Sequence, residues 1–281
     1  MPCLYRLLWM QNLLVAKSLT NSVAGVSLMS KRGKLLEKAK HKITQNQGKA
    51  MSGTVTVSIE NGVANILMDD GKVNVLGYDM WDQLEAAFDQ AEQAGAVVVL
   101  RGRDGIFSGG FDLKEMSKGP QAALDLTSRG SKMARRILSF PTPVIGVSTG
   151  HCIAMGAFLM LACDYRIGAA GEYKVGLNET MIGMTMHNFG IELARYRIPL
   201  AYFSRAVINA EIWSPDDAIS AGFYDRTAPA EHLDAAAAMA AEMFGKLDMN
   251  AFNGTKNKSR KAFLELLDQC IKTDLVLPSA P

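Results

Sequence analysis

Hydrophobic and polar positions alternate where the regular part of the chain begins. After Thr54, apolar residues at positions 55, 57 and 59, and again at 63, 64, 66 and 68, flank the pair Asn61-Gly62. Such alternation on both sides of Asn-Gly is typical of a β-hairpin, because these two residues accept the positive backbone angles that a two-residue turn needs. Residues 55–68 are therefore predicted to form two antiparallel strands.

The pattern then changes to helical spacing and to short apolar runs. Apolar residues at a period near 3.6 predict a helix over residues 78–94, and the unbroken apolar run 96–100 is typical of a buried strand. Further helices are predicted at residues 121–139, 154–162, 215–222, 231–246 and 256–273, and further strands at residues 144–147, 165–167 and 173–175. No strand is predicted after Gly183. This order predicts an α/β fold with a mostly helical C-terminal third.

The charge of the chain is distributed unevenly. Residues 1–50 contain nine Lys and Arg residues and one acid, which gives them a net charge of +8. The net charge of the whole chain is +2, so residues 51–281 have a net charge of −6. This balance gives no reason to expect that the folded part binds nucleic acid. The apolar stretch at residues 7–15 is interrupted by Gln11 and Asn12 and is too short to span a bilayer, so no membrane protein is predicted.

Three interpretations fit residues 1–50: a transit peptide, a basic arm, or sequence upstream of a true start at Met51. The early start is favoured because the regular pattern begins directly after Met51. Residues 1–50 are expected to lie outside the fold, followed by an α/β core at 51–200 and a helical region at 201–281. The expected compartment is the cytoplasm, or the mitochondrion if residues 1–50 are a transit peptide.

The cysteines argue against a disulfide framework or a metal site. There are four of them, with no Cys-x-x-Cys pair and no histidine at metal-ligand spacing. A secreted disulfide-rich domain and a zinc site are therefore not predicted, and a reducing compartment is expected.

Three glycine-bearing stretches follow predicted strands, at residues 107–116 (FSGGFDLKEM), 150–159 (GHCIAMGAFL) and 176–183 (GLNETMIG). Glycine permits tight turns, and a helix N-terminus has free backbone N–H groups, so such stretches can build an oxyanion-binding site. Glu179 stands among apolar neighbours, where burial would raise its pKa and suit a proton carrier. For each stretch taken alone, an ordinary turn or a surface glutamate stays open.

In this order and spacing, the three stretches resemble the crotonase (enoyl-CoA hydratase/isomerase) superfamily. The resemblance runs from about Thr54 to Leu247 and includes CDYR at residues 163–166 and SPDDA at residues 214–218. It implies a crotonase-type spiral of ββα units with a short C-terminal helical region. It also implies an acyl-CoA substrate and neither a metal nor a cofactor, since coenzyme A is part of the substrate.

The resemblance also implies a homotrimer or a dimer of trimers, with residues 201–281 as the oligomerisation region. In that superfamily a final helix usually helps to form the trimer and to cover the CoA site. The present chain ends about 25 residues after Lys256. That final helix is therefore expected to be missing.

Family register assigns roles to individual residues. The backbone N–H groups of Phe111 and Met155 are expected to bind the thioester oxygen, and Glu179 is expected to be the catalytic carboxylate. Hydratases of the superfamily carry two glutamates, which orient and deprotonate water. Register puts Phe158 where the first of these glutamates would be, and phenylalanine cannot carry a proton.

The loop after Gly183 lacks the Pro-Gly-x-Gly-Gly run common in hydratases, so the acyl pocket is expected to be reshaped. The expected pocket residues are Phe158, Met184 and His187. His187 is interpreted either as a second proton carrier or as a polar loop residue. Lys114 is a candidate for contacting the CoA phosphates, and Asp112 and Asp164 are expected to cap or brace turns.

The leading functional prediction is an enoyl-CoA isomerase. One carboxylate suffices to move a double bond from position 3 to position 2, because the same base takes a proton from C2 and returns it at C4. The GLNET string resembles that of Δ3-Δ2 enoyl-CoA isomerases, which also have an apolar residue in place of the first glutamate. The alternatives are a hydratase or another crotonase-type enzyme and, from a different class, a non-catalytic acyl-CoA-binding protein.

Overall fold

The computed structural model describes residues 53–276, so the predictions for residues 1–50 lie outside the described residues. The strands of this part are Val55–Glu60 (β1), Val63–Met68 (β2), Val75–Leu76 (β3), Val97–Gly102 (β4), Gly105–Ser108 (β5), Gly110–Phe111 (β6), Val144–Ser148 (β7), Gly150–Ile153 (β8), Tyr165–Ala169 (β9), Val175–Gly176 (β10), Ile212–Trp213 (β11) and Arg226–Ala228 (β12). The α-helices are Tyr78–Gln93 (α1), Leu113–Met116 (α2), Pro120–Ser139 (α3), Met155–Ala162 (α4), Asn188–Arg197 (α5), Leu200–Val207 (α6), Pro215–Ser220 (α7), Leu233–Gly245 (α8) and Met249–Asp274 (α9). The predicted α/β fold is confirmed.

The first two strands form the predicted hairpin. β1 and β2 pair antiparallel, and Glu60 faces Val63 across the turn. Asn61 and Gly62 both have positive φ, 52° and 77°. Two consecutive positive φ angles match the twist of the flanking strands, which explains the Asn-Gly pair.

A six-stranded sheet in the order β1-β2-β4-β7-β9-β12 contains the longer strands, and all its pairs except β1-β2 are parallel. Both faces of its middle are covered. Along β4, Val98 and Leu100 face the main core, whereas Val97 and Val99 pack against a second cluster that contains the alanines of α8. Coverage of both faces explains why this strand reads as an unbroken apolar run.

A second, four-stranded sheet has the strand order β11-β10-β8-β5. The large-sheet strands β4, β7 and β9 are each followed in sequence by a strand of this smaller sheet, namely β5, β8 and β10. Because β5, β8 and β10 pair in parallel, the segments that follow them leave the sheet at the same edge. This repetition brings the three glycine-bearing stretches side by side.

The region after Gly183 differs from prediction in three respects. Two short strands, β11 and β12, are present because they pair with β10 and β9, which no local pattern of two or three residues reveals. Helices α5 and α6 were not predicted. The helix predicted over residues 256–273 begins earlier than expected, since α9 runs for 26 residues and follows the N-cap Asp248, whose Oδ1 accepts a hydrogen bond from the Ala251 N–H. The expectation that the family's final helix is missing stays a prediction.

Helix α9 packs against α3 and α5. The predicted boundary at residue 200 and the oligomerisation role of residues 201–281 stay predictions. Among residues 53–276, no helix has both the length and the apolar character needed to cross a membrane.

Candidate active site

The turn between β5 and β6 is fixed by buried polar side chains. The Ser108 hydroxyl accepts a hydrogen bond from the Gly110 N–H (3.1 Å) and donates one to the Asn74 carbonyl (2.8 Å). The Asn74 amide in turn donates to the Phe107 carbonyl (3.1 Å). Since Ser108 and Asn74 are fully buried, these bonds satisfy groups that have no access to water. The turn that leads into Phe111 is therefore held in one geometry.

Gly110 allows this turn to pack closely against the start of helix α4. Its φ is +96°, and a Cβ there would lie 2.8 Å from the Ala154 Cβ and 3.4 Å from the Met155 backbone nitrogen. Only glycine tolerates both the angle and the approach. The backbone segments of Phe111 and Met155, predicted as oxyanion donors, are thus close neighbours.

Helix α4 begins at Met155, directly after a backbone reversal at Ala154, whose φ is +52°. The Ala154 N–H donates to the Gly176 carbonyl (3.0 Å), which ties this helix start to β10. Met155 is the first helical residue, so its N–H has no acceptor within the helix and lies at the positive end of the helix dipole. An anionic oxygen is favoured at such a position.

Glu179 follows β10 by three residues and is 8% exposed. Its backbone carbonyl accepts from the Met184 N–H (2.9 Å), which folds the pocket loop back onto it. Within residues 53–276 its Oε2 has no hydrogen-bond partner and its carboxylate has no ion-pair partner. Burial without a compensating cation raises the pKa of Glu179 to about 7. This carboxyl group can therefore both accept and release a proton near neutral pH.

Phe158 and His187 lie against each other in the structure. The buried Phe158 ring on α4 meets the His187 ring edge-on, with centroids 5.7 Å apart. The His187 Nε2 is buried and has no partner among the described residues. Burial lowers the pKa of His187 to about 4, so its imidazole is neutral at physiological pH. The position predicted for a missing glutamate is thus occupied by an aromatic ring beside a neutral imidazole.

The remaining predicted residues are more peripheral. Met184 is half-buried and belongs to the loop that folds back on Glu179. Lys114 is exposed on the short helix α2, where Asp112 is the N-cap and accepts from the Lys114 N–H (2.9 Å). The capping role of Asp112 is confirmed, whereas contact between Lys114 and CoA stays a prediction.

Sequence reasoning missed two residues at this site. Gly130 lies in the middle of α3, where an added Cβ would meet both the Phe111 ring and the Met155 sulfur. An isolated glycine inside a helical pattern was the available signal. Asn178, next to Glu179, has a buried Oδ1 without a partner in the described part of the chain, and nothing in its sequence context distinguished it.

The arrangement suits proton transfer beside a developing negative charge. The buried carboxyl group of Glu179 follows strand β10, and β10 is hydrogen-bonded to the start of helix α4. The glycine turn at Gly110 lies against that same helix start. Among residues 53–276, no group of three or more His, Cys, Asp or Glu side chains could hold a metal ion. The buried Glu179 carboxyl group, with its pKa of about 7, is the group at this site suited to taking up and releasing a proton.

Comparisons with family models, solved structures and curated proteins all point to the same family. The family model described as enoyl-CoA hydratase/isomerase matches residues 58–278. A crystal structure of an enoyl-CoA hydratase/isomerase family protein from Pseudomonas syringae is 47% identical, covers 80% of this chain and 98% of that chain, and has a TM-score of 0.79. A Mycobacterium tuberculosis protein, described as an enoyl-CoA isomerase for its apo structure and as a probable enoyl-CoA hydratase for another, is 38% identical; the apo structure has 80% and 98% coverage and a TM-score of 0.76. A probable enoyl-CoA hydratase of Bacillus subtilis (strain 168) is 30% identical over 68% of this chain and 76% of that protein.

Proposed function

This chain belongs to the enoyl-CoA hydratase/isomerase family, and we propose that it moves the double bond of a 3-enoyl-CoA to position 2. Its relatives are named both as hydratases and as isomerases, so the choice between the two reactions rests on the site. The observation that carries the proposal is Glu179, a buried carboxyl group with a pKa near 7 and no cation beside it among residues 53–276.

In the proposed reaction the Glu179 carboxylate takes a proton from C2 of the acyl group. The C2–H electron pair moves toward the thioester carbonyl and leaves negative charge on its oxygen, which accepts hydrogen bonds from the N–H groups of Phe111 and Met155. Each preorganised donor of this kind stabilises the transition state by about 2.7 to 4 kcal/mol. Glu179 then returns the proton at C4 as the C2–C3 double bond forms, so nothing is added or lost and no cofactor is required.

The buried Phe158, at the position that family resemblance gives to the first glutamate, favours isomerisation over hydration. Phe158 cannot orient or deprotonate water. Asp164, another carboxylate with a buried side chain, is paired with Lys256 and Arg260. A water-excluding aromatic ring also protects the enolate from side reactions.

Hydration is kept as the second candidate because of His187. Its neutral imidazole lies against Phe158, and its unpartnered Nε2 could orient a water molecule in place of the missing glutamate. A non-catalytic acyl-CoA-binding protein is the third possibility, and turnover distinguishes it from both enzymes.

The test uses a 3-enoyl-CoA and a 2-enoyl-CoA in separate assays. We expect the conjugated thioester from the first and little 3-hydroxyacyl-CoA from the second. Rapid formation of the hydroxy product would contradict the isomerase proposal. Binding without turnover across several chain lengths would support the binding protein instead.

Glu179→Gln tests the role of the carboxyl group directly. Loss of a general base lowers kcat by about 10²- to 10⁴-fold, while the dissociation constant of a saturated acyl-CoA should change little. In the unmodified protein kcat/KM should fall about tenfold per pH unit as the pH drops below about 7, because the base is lost on protonation. A pH profile that is flat between 5 and 7 would exclude Glu179 as the base.

We also propose a homotrimer or a dimer of trimers, with masses of three or six times the 30.4 kDa chain. Sedimentation velocity measures this directly, and a monomer would contradict it.

N-terminal sequencing of the native protein decides among the three interpretations of residues 1–50. A mitochondrial location is expected only if these residues are a transit peptide.

A further inference from the structure

Gly130 lies ten residues into the twenty-residue helix α3, where glycine is unfavourable. In a helix interior, glycine is less stable than alanine by roughly 1 kcal/mol, because it loses more conformational freedom. Its backbone angle does not require glycine, since its φ is not among the positive ones. The reason for glycine must therefore be the space around it.

That space is filled by the two predicted oxyanion residues. A Cβ at position 130 would lie 2.8 Å from both Cε1 and Cζ of the Phe111 ring and 3.1 Å from the Met155 sulfur. The first distance is too short for any real Cβ contact. On another side the Phe111 ring meets the fully buried Trp81, with centroids 6.4 Å apart. The Phe111 ring is partly exposed, and Trp81 limits one direction in which it can withdraw.

We propose that Gly130 is a positioning residue that sets where the Phe111 and Met155 backbones stand, and with them the two oxyanion N–H groups. The inference rests on the proposed role of these two residues in the reaction. A methyl group at position 130 would push on both side chains at once. Because Gly110 already seats the Phe111 turn against Ala154 and Met155, the displacement would reach the backbone.

The expected effect of Gly130→Ala is a fall in kcat of about ten- to a hundredfold with KM within about threefold of the original value. Complete loss of one oxyanion donor lowers kcat by about 10²- to 10³-fold, so a displaced donor should cost less. Binding of the acyl chain does not depend on the carbonyl contact to the same degree. A merely structural defect would instead lower the amount of active protein and leave kcat per active site unchanged.

Gly254→Ala is the matched control. Gly254 also lies inside a long helix, α9, but a Cβ there would meet no atom within 4 Å. It is outside the proposed site, so its activity should equal that of the unmodified protein. Both substitutions make the same chemical change in a helix.

A chromophoric ligand reports on the oxyanion contacts without turnover. The absorption of bound 2,4-hexadienoyl-CoA moves to longer wavelength as its carbonyl oxygen accepts stronger hydrogen bonds. We expect a clear shift with the unmodified protein and with Gly254→Ala, and a smaller one with Gly130→Ala. Failure of 3-enoyl-CoA turnover in the unmodified protein would overturn the proposed function, whereas the comparison of these spectra would still decide the role of Gly130.

A double-mutant cycle with Phe111→Leu covers the case in which Gly130→Ala folds poorly. Removing the ring makes room for the methyl group while the backbone N–H remains. We therefore expect Gly130→Ala to change kcat and the spectral shift by less than threefold in the presence of Phe111→Leu. Equal effects of Gly130→Ala with and without the ring, or kcat and spectral shift of Gly130→Ala within twofold of the unmodified protein, would overturn the inference.

Discussion

Two carboxylates in this fold are almost equally withdrawn from water but have different surroundings. The Asp164 side chain is 8% exposed and pairs with Lys256 (2.7 Å) and Arg260 (3.0 Å) of helix α9. It also accepts a hydrogen bond from the Val144 N–H (2.9 Å). Glu179 has neither a cation beside it nor a partner for its Oε2 within residues 53–276. The same degree of burial is therefore compensated at one site and not at the other.

The difference separates a structural carboxylate from one that can exchange a proton. A buried charge needs ion pairs and hydrogen bonds, and without them the neutral form is favoured. Asp164 joins the start of β9 to the last helix through such pairs. Glu179 instead has a pKa of about 7, because its charged form is destabilised by burial. A raised pKa of this kind is typical of a carboxyl group that transfers protons.

The largest effect on stability is expected from Asp164→Asn. This change leaves the buried Lys256 and the nearly buried Arg260 without their anion, and breaking one side of a buried pair typically destabilises a protein by about 3 to 5 kcal/mol. Urea unfolding measures the loss. Asp268→Asn is the control, because its pair with Arg135 is half exposed and should contribute at most about 1 kcal/mol. Equal losses from the two substitutions would remove the distinction.

Glu179→Gln is expected to change stability in the opposite direction. The folded-state pKa is raised from 4.5 to about 7, so stability declines as the pH rises between these values and stays lower above them. At about 1.4 kcal/mol per pKa unit, the uncharged glutamine should be more stable by up to about 3 kcal/mol at pH 9 and by little at pH 5.

Unfolding in urea at the two pH values measures this difference. Glu242→Gln is a suitable control, since Glu242 is exposed and its pair with Lys246 lowers its pKa. A Glu179→Gln variant that is less stable than the unmodified protein at pH 9 would contradict the account of an uncompensated charge.

The two carboxylates also differ in how far the sequence predicts them. The GLNET string around Glu179 is a local pattern that resembles the family, so the position of Glu179 was predictable. The hairpin at Asn61-Gly62 was also predictable, because the turn residues themselves determine its geometry. Asp164 was predicted only to cap or brace a turn, because its partner Lys256 is 92 residues away and no local pattern joins them. Strand β11 and Gly130 escaped prediction for the same reason, since each is explained by contacts with distant residues.

A third carboxylate gives the smallest expected effect and tests an intermediate case, in which backbone N–H groups replace cations. Asp274, at the end of α9, accepts from the N–H groups of Asn188 and Phe189 (both 2.9 Å) and thereby caps helix α5 directly after the pocket loop. Asp274→Ala should destabilise the protein by about 1 kcal/mol, as expected for a lost cap. Hydrogen exchange should accelerate at the first amides of α5, with a smaller increase for Asp274→Asn, which keeps one acceptor oxygen. Unchanged exchange in Asp274→Ala would mean that the last helix does not hold the loop that carries His187.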